Sequence, residues 1–257
     1  MKTIRLIGEC VALALSICFL GGCCGKTSSD SITKPKAAIT TDTEKQTEKQ
    51  TVKQTQPETK KQQQEDANLK FTEWEPLFDG RTLYGWQEIN YAGKGEVSVK
   101  DGQIILQMGY MTGIKWTNEP PTMNYEVEYE AMRVEGTDFF ASLTFLVNTN
   151  PCTFIVGGWG GGTVGISSLN DMDASENETS KFMNFENGKW YKFRVRVTKK
   201  KIEAWINEEK IIDVVHTDKK ISLRPGDIEL SQPFGFSTWS TTGALRNIRI
   251  RYLKNNE

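Results

Sequence analysis

Tyr125-Glu126-Val127-Glu128-Tyr129-Glu130-Ala131 alternates apolar and acidic residues with a period of two, and Tyr191-Lys192-Phe193-Arg194-Val195-Arg196-Val197 repeats the pattern with basic residues in the polar places. Successive side chains of an extended strand point to opposite faces. Each stretch therefore predicts a strand with one apolar face turned to a core and one polar face turned away. A helix would need a period near 3.6, which neither stretch shows. The same alternation closes the chain, where Ile248, Ile250 and Tyr252 are expected inward and Arg249 and Arg251 outward. Hairpin signals stand between such runs, in Val99-Lys100-Asp101-Gly102-Gln103 with its Asp-Gly pair and in Ile206-Asn207-Glu208-Glu209-Lys210-Ile211, which joins two further strands. Many short strands and almost no helical periodicity from Phe71 onward predict an all-β domain, a two-sheet antiparallel β-sandwich of jelly-roll type.

The N-terminal quarter reads differently. Lys2 and Arg5 precede an apolar run from Val11 to Leu20 and then small residues, the layout of an export signal over 1–22. The run is too short for a spanning helix. Leu20-Gly21-Gly22-Cys23 resembles the bacterial lipobox, which implies cleavage before Cys23 and acylation of its thiol. Residues 23–68 are rich in Thr, Gln, Lys and Glu, and Lys26 to Asn68 holds no aromatic residue. Such a segment cannot bury enough apolar surface to offset ordering, so a tether is expected. The folded head is expected over 69–257. With 32 basic and 33 acidic residues the chain has no electrostatic footprint for nucleic acid. Cys152 is the one cysteine of the head and His216 its one histidine, which excludes an intradomain disulfide and a thiolate or imidazole zinc cluster. His216 is expected at a strand end.

The head resembles the 3-keto-disaccharide hydrolase family. Leu77-Phe78-Asp79-Gly80-Arg81-Thr82-Leu83-Tyr84-Gly85-Trp86 looks like the LFDGxTLxGW opening of that family. Val99-Lys100-Asp101-Gly102, Asn124-Tyr125-Glu126-Val127 with Glu130, and Leu245-Arg246-Asn247-Ile248-Arg249-Ile250 follow in the family's order. The resemblance implies a concanavalin A-like sandwich, a carbohydrate ligand and glycoside cleavage. The chain departs from the family pattern in two places. Asp138-Phe139-Phe140-Ala141-Ser142 stands for an Asn-Ser-Gly-Ile segment, and Ser237-Thr238-Trp239-Ser240 stands for Gln-Asp-His-Gly. The second exchange removes an acid and an imidazole that could bind metal or transfer protons.

Four groups of residues could carry chemistry. Glu126, Glu128 and Glu130 share one strand face about 7 Å apart, within the roughly 5 to 10 Å that two glycoside-cleaving carboxyls require. The same row would equally form a ladder with Lys192, Arg194, Arg196, Arg249 and Arg251; Glu130 is the functional candidate because it matches a family position. Asp138 follows a Gly136-Thr137 turn and enters an apolar strand, where it would either cap the turn or act on substrate. Asp171, Asp173, Glu176 and Glu178 cluster with Asn177 and Thr179, chemistry suited to sugar hydroxyls or to a hard cation. No motif demands a cofactor, and a divalent metal of unspecified identity stays open. Trp159, among Gly157, Gly158, Gly160, Gly161 and Gly162, and Trp239 and Trp116 in polar or glycine-rich surroundings, are expected as sugar platforms. Trp74, Trp86 and Trp190 are expected in the core.

The candidate catalytic set is therefore Glu130, Asp138, Asp173 and Glu176, and the candidate substrate-binding set Trp159, Trp239, Trp116 and Asn177. One groove is expected, walled by Gly157 to Thr179, by Ser237 to Thr241 and by the Glu126 to Glu130 strand. Three readings follow: a lipid-anchored hydrolase acting on (3-keto-)disaccharides or oligosaccharides, a lectin-like module that holds glycan without cutting it, or an envelope protein that packs against cell-wall partners. The expected setting is the bacterial cell envelope, periplasmic or at the surface, with carbohydrate and the membrane as partners and the head a monomer.

Overall fold

A computed structural model describes residues 69–254. The expected signal over 1–22, the lipidation site Cys23 and the tether over 23–68 lie outside the described residues. Within them the strands are β1 (Glu75–Pro76), β2 (Trp86–Glu88), β3 (Val97–Lys100), β4 (Gln103–Leu106), β5 (Met111–Trp116), β6 (Tyr125–Gly136), β7 (Ser142–Val147) and β8 (Asn150–Gly158). There follow β9 (Thr163–Ser167), β10 (Lys181–Phe182), β11 (Trp190–Val197), β12 (Lys201–Ile206), β13 (Glu209–Val215), a single 3-10 turn η1 (Asp227–Ser231), β14 (Gly235–Trp239) and β15 (Thr241–Tyr252). They form two antiparallel sheets, the sandwich that the alternation predicts. One sheet runs β13-β12-β11-β6-β15-β4-β3 with β1 added to β15, and the other runs β10-β9-β8-β7-β14-β5-β2.

The apolar faces meet as expected. Tyr125, Val127, Tyr129 and Ala131 of β6 are fully buried, as are Leu143, Phe154 and Phe236 of the opposite sheet. The Tyr129 ring meets Phe236 edge-on at 4.8 Å and stacks on Phe193 at 5.1 Å. Two phenols tie the layers together: Tyr125 donates to the Leu146 carbonyl at 2.7 Å and Tyr129 to that of Ala141 at 3.1 Å. Burial pushes both hydroxyls well above the usual phenol range, so they stay neutral donors. Asp101 and Gly102 both have positive φ, as do Asn207 and Glu208. That is the backbone of two-residue type I′ hairpins, whose twist matches that of the strands they join.

The polar face of β6 answers the question its glutamates raised. Pairing with β11 sets Lys192, Arg194 and Arg196 opposite Glu130, Glu128 and Glu126, while β15 sets Arg246, Arg249 and Arg251 on the other flank. Glu126 accepts from Arg196 Nε at 2.6 Å and from Arg251 Nε at 2.6 Å. Glu128 is bracketed by Arg249 Nε at 2.9 Å and Lys192 Nζ at 3.1 Å. Glu130 accepts from Arg246 Nε at 2.8 Å and Asn247 Nδ2 at 2.9 Å. Aromatic rings cover the guanidinium groups: Trp74 lies under Arg249 and Arg251, Trp190 under Arg246, and Trp205 under Arg194 and Arg196. Trp74 and Trp190 are thus half-buried on the outside of this sheet, whereas Trp86 is in the core as expected. Tyr252 likewise ends β15 exposed rather than inward. His216 closes β13, its Nε2 placed 2.8 Å from the Thr198 carbonyl.

Candidate functional site

Alternation along the seven-stranded sheet leaves a second face, away from the core, made of small and polar residues. Gly113, Thr144, Thr153, Gly165, Ser167 and Ser237 all lie on it, because their buried chain neighbours Ile114, Leu143, Phe154, Ile166 and Phe236 point the other way, into the core. Small side chains keep the floor low, and loops build walls over it. A hydroxyl network stiffens the floor: Ser231 Oγ lies 2.6 Å from Thr144 Oγ1, which in turn lies 3.1 Å from Thr153 Oγ1. Tyr91 Oη lies 2.8 Å from Ser237 Oγ. Burial raises the Tyr91 hydroxyl to about 12, although the Ser237 and Ser231 contacts work against that rise.

A cleft of about 470 Å³ opens on this face. One wall is aromatic: Trp239, at the end of β14, packs against Tyr110 with ring centroids 4.4 Å apart and against Phe139 at 6.2 Å. Trp239 and Met111 are register partners, which brings Tyr110, the residue before Met111, to the same end of the sheet. The facing wall is Trp159 on the β8–β9 tip, 44 % exposed and with φ of +49°. A positive φ is uncommon for a bulky residue and persists only where surrounding contacts over-determine it. Here the contact is the Asp138 carboxylate, which accepts the Gly160 amide at 3.0 Å and the Phe139 amide at 2.8 Å. Arg224 stands over the Trp159 ring at 5.7 Å and donates to Asp173 Oδ2 at 2.7 Å. Asp227, exposed in η1, and Ile228 complete the lining.

The structure thus brings Trp159, Trp239 and Asp138 together and places Asp173 at the edge of the cleft, behind Arg224. It puts the other candidates elsewhere. Glu130 is on the outer face of the eight-stranded sheet, held by Arg246 and Asn247, so the Glu126 to Glu130 strand is not a wall of this groove. Trp116 packs edge-on against Trp86 at 5.0 Å and fills the space a Cβ on Gly85 would need. Asn177 is buried: Nδ2 donates to the carbonyls of Ile166, Met172 and Asp173, and Oδ1 accepts from the Thr179 amide and hydroxyl. That side chain staples the 168–180 loop and has no donor left for a ligand. Glu176 is exposed, its carboxylate turned to the Asp173 amide of its own turn at 3.4 Å. Among the described residues no three His, Cys, Asp or Glu side chains converge as a metal-ligand set. Sequence reasoning missed Tyr110, Phe139, Arg224 and Asp227; Arg224-Pro225-Gly226-Asp227 reads as a turn, and nothing in its spacing tells that it closes over Trp159.

Over residues 73–251 the chain matches the family described as the 3-keto-alpha-glucoside-1,2-lyase-like domain. No curated protein matches the sequence. Among solved structures it is similar to a candidate glycosyl hydrolase from Parabacteroides distasonis, at 16% identity and TM-score 0.48, over 74% of this chain and 97% of that one. It is similar also to carbohydrate binding module CBM66 from Bacillus subtilis, at 11% identity and TM-score 0.43, over 64% and 93%. A further likeness is to domain 4 of a GH43 extracellular arabinanase from Geobacillus stearothermophilus in complex with arabinotriose, at 13% identity and TM-score 0.47, over 72% and 93%.

Proposed function

Since the chain belongs to the 3-keto-alpha-glucoside-1,2-lyase-like family, we propose that it is a carbohydrate-active protein that holds a glycoside in the cleft between Trp159 and Trp239. The observation that carries this reading is the convergence of those two indoles with Asp138 and Arg224 around one open cavity. An indole offers the C–H face of a sugar ring a flat apolar platform, and the Asp138 carboxylate and Arg224 guanidinium supply an acceptor and a planar set of donors for its hydroxyls. Binding is what this geometry supports most directly. Its test is calorimetric titration of the protein with 3-keto-glucosides and with plain di- and oligosaccharides. Saturable heat that disappears in Trp159→Ala supports the reading, and no heat with any sugar overturns it.

Cleavage is the second reading, favoured by the two carboxylates, Asp138 and Asp227, that line the same cleft. A ketone at C3 of a glucoside acidifies the C2 hydrogen. Removal of that proton by a base and departure of the C1 oxygen with its bonding pair give a C1–C2 double bond and the free aglycone, which takes up a proton. In such a step Asp227, exposed at the rim, would take the proton, and Arg224 would hold the C3 oxygen as negative charge grows there. A hydrolase acting on (3-keto-)disaccharides would use the same two carboxylates as acid and base. Release of aglycone from a 3-keto-glucoside, lost in Asp227→Asn with sugar binding retained, would support cleavage; binding without release leaves a lectin-like module.

The setting we propose is the bacterial envelope, with the chain anchored through acylated Cys23. Incorporation of a labelled fatty acid that is lost in Cys23→Ser checks the anchor.

A further inference from the structure

Phe182 ends β10, the edge strand of the seven-stranded sheet, and is 77 % exposed. Its register partner is Thr163, and two residues along β9 from Thr163 lies Gly165, on the same face as the cleft floor. Phe182 therefore projects from the face that carries Trp159 and Trp239. Its ring is seated rather than loose: a Cβ on Gly162 would stand 2.2 Å from Phe182 Cε2, so the bare backbone of Gly162 is a bed for that ring. Gly162 does not have a positive φ, so what its missing side chain provides there is room for the ring and not a backbone conformation. A bed built under an exposed ring distinguishes Phe182 from an apolar side chain scattered singly on a surface, which needs no explanation.

β8 and β14 run parallel to one another in this sheet, so Trp159, just past the end of β8, and Trp239, at the end of β14, share one end of it. Phe182, also at a strand end, and Tyr110, just before β5, complete a row across that end. From β10 to β5 the sheet takes five steps, through β9, β8, β7 and β14. At about 4.8 Å a step, the row is roughly 24 Å long, a run of several sugar rings. The charges beside it are Asp138, Asp173 and Asp227 with Arg224, with Arg133, which donates to the Gly161 carbonyl, and with exposed Lys181 next to Phe182, a balance that gives an ionised sugar no net attraction.

From this row we infer that the protein takes a neutral oligosaccharide chain, several rings long, laid across the strand ends from Tyr110 to Phe182, with Phe182 as an outlying subsite. The inference rests on the reading of the Trp159–Trp239 cleft as a sugar site. Stacking at an outlying aromatic ring adds affinity only for chains long enough to reach it, by about three- to tenfold for one ring.

The test is calorimetry on the full chain with neutral gluco-oligosaccharides of two to six rings, α- and β-linked, comparing wild type with Phe182→Ala and Phe182→Trp. Affinity is expected to rise with length in the wild type. Phe182→Ala is expected to erase the last three- to tenfold of that rise while leaving disaccharide affinity and the melting temperature unchanged, and Phe182→Trp to restore it. Equal affinity for short and long chains, or a length dependence that Phe182→Ala leaves intact, overturns the inference and leaves the cleft reading standing. No binding at any length, with binding of a 3-keto-glucoside retained, overturns the inference alone; no binding of any sugar overturns both.

Discussion

The Asp138 carboxylate accepts the Gly160 amide across the gap between β7 and the β8–β9 tip, at 3.0 Å. That single bond ties the loop ahead of one strand to the hairpin that presents Trp159. Removing it in Asp138→Ala frees the tip, and stability is expected to drop by only about 1 kcal/mol because the bond lies near the surface. Sugar affinity should fall by more than that loss of stability suggests, since a mobile indole must be ordered on binding. Asp138→Asn keeps an oxygen for the Gly160 amide and should keep most of the affinity. Paired titrations of the two variants check this, and equal losses in both would contradict a positioning role.

Glu126 is fully buried between Arg196 and Arg251. Taking away one member of a buried ion network leaves the others uncompensated in a poorly solvating place, at a cost of about 3 to 5 kcal/mol. Glu126→Gln should therefore lower the denaturation midpoint strongly, measured by chemical unfolding. Sugar binding by the fraction still folded should be unchanged, because the ladder and the cleft belong to different sheets.

Glu130 shows the pH dependence of the same ladder. Desolvation tends to raise its pKa, but the bonds from Asn247 and Arg246 outweigh it and the net shift is below the ordinary value of 4.5. A carboxyl with a depressed folded pKa binds fewer protons folded than unfolded. Its contribution is complete above about 4.5 and is lost as the pH falls through the lower folded value. Stability curves of wild type and Glu130→Gln should thus converge on acidification below that pH and stay parallel above it. Convergence on the alkaline side would contradict this assignment.

Asn177 offers a third contrast between structural and ligand-facing polarity. Asn177→Ala takes the Asn177 donor from the carbonyl of buried Ile166 and the shared acceptor from the Thr179 amide and hydroxyl, and about 2 to 3 kcal/mol of stability should go with them. The 168–180 loop should then exchange its amide hydrogens faster than β6 does, which hydrogen-exchange mass spectrometry reads directly.

The alternation in Tyr125 to Ala131 and Tyr191 to Val197 made the strands, their inward faces and the sandwich legible, because period and hydrophobicity act on the residues next to one another. The Asp101-Gly102 turn was legible for the same reason, and so was the presence of a hairpin between Ile206 and Ile211, although not its turn pair Asn207-Glu208. What period cannot say is which sheet a polar face belongs to. Glu126 to Glu130 and Trp159 were assigned to one groove although the sandwich sets them on different sheets, because strand order joins β6 to β11 and β15 through contacts far apart in the chain. The indoles of Trp159 and Trp239 were identifiable from their glycine-rich and polar surroundings, which leave a large ring little to pack against. Trp116 had similar surroundings and still packs on Trp86, and Asn177 looked like a free amide yet bonds its own loop. Arg224 could not be assigned at all, since its role depends on how the 222–226 loop folds back over Trp159.

The seven tryptophans allow one direct test of where the sugar sits. Indole N–H signals of the protein can be followed by nuclear magnetic resonance during titration with a gluco-oligosaccharide or a 3-keto-glucoside. The signals of Trp159 and Trp239 are expected to move together and saturate, while those of Trp86, Trp74, Trp190 and Trp205, in the core or on the opposite sheet, stay in place. Movement confined to Trp74, Trp190 or Trp205, with Trp159 and Trp239 unmoved at saturation, would contradict the cleft as the sugar site.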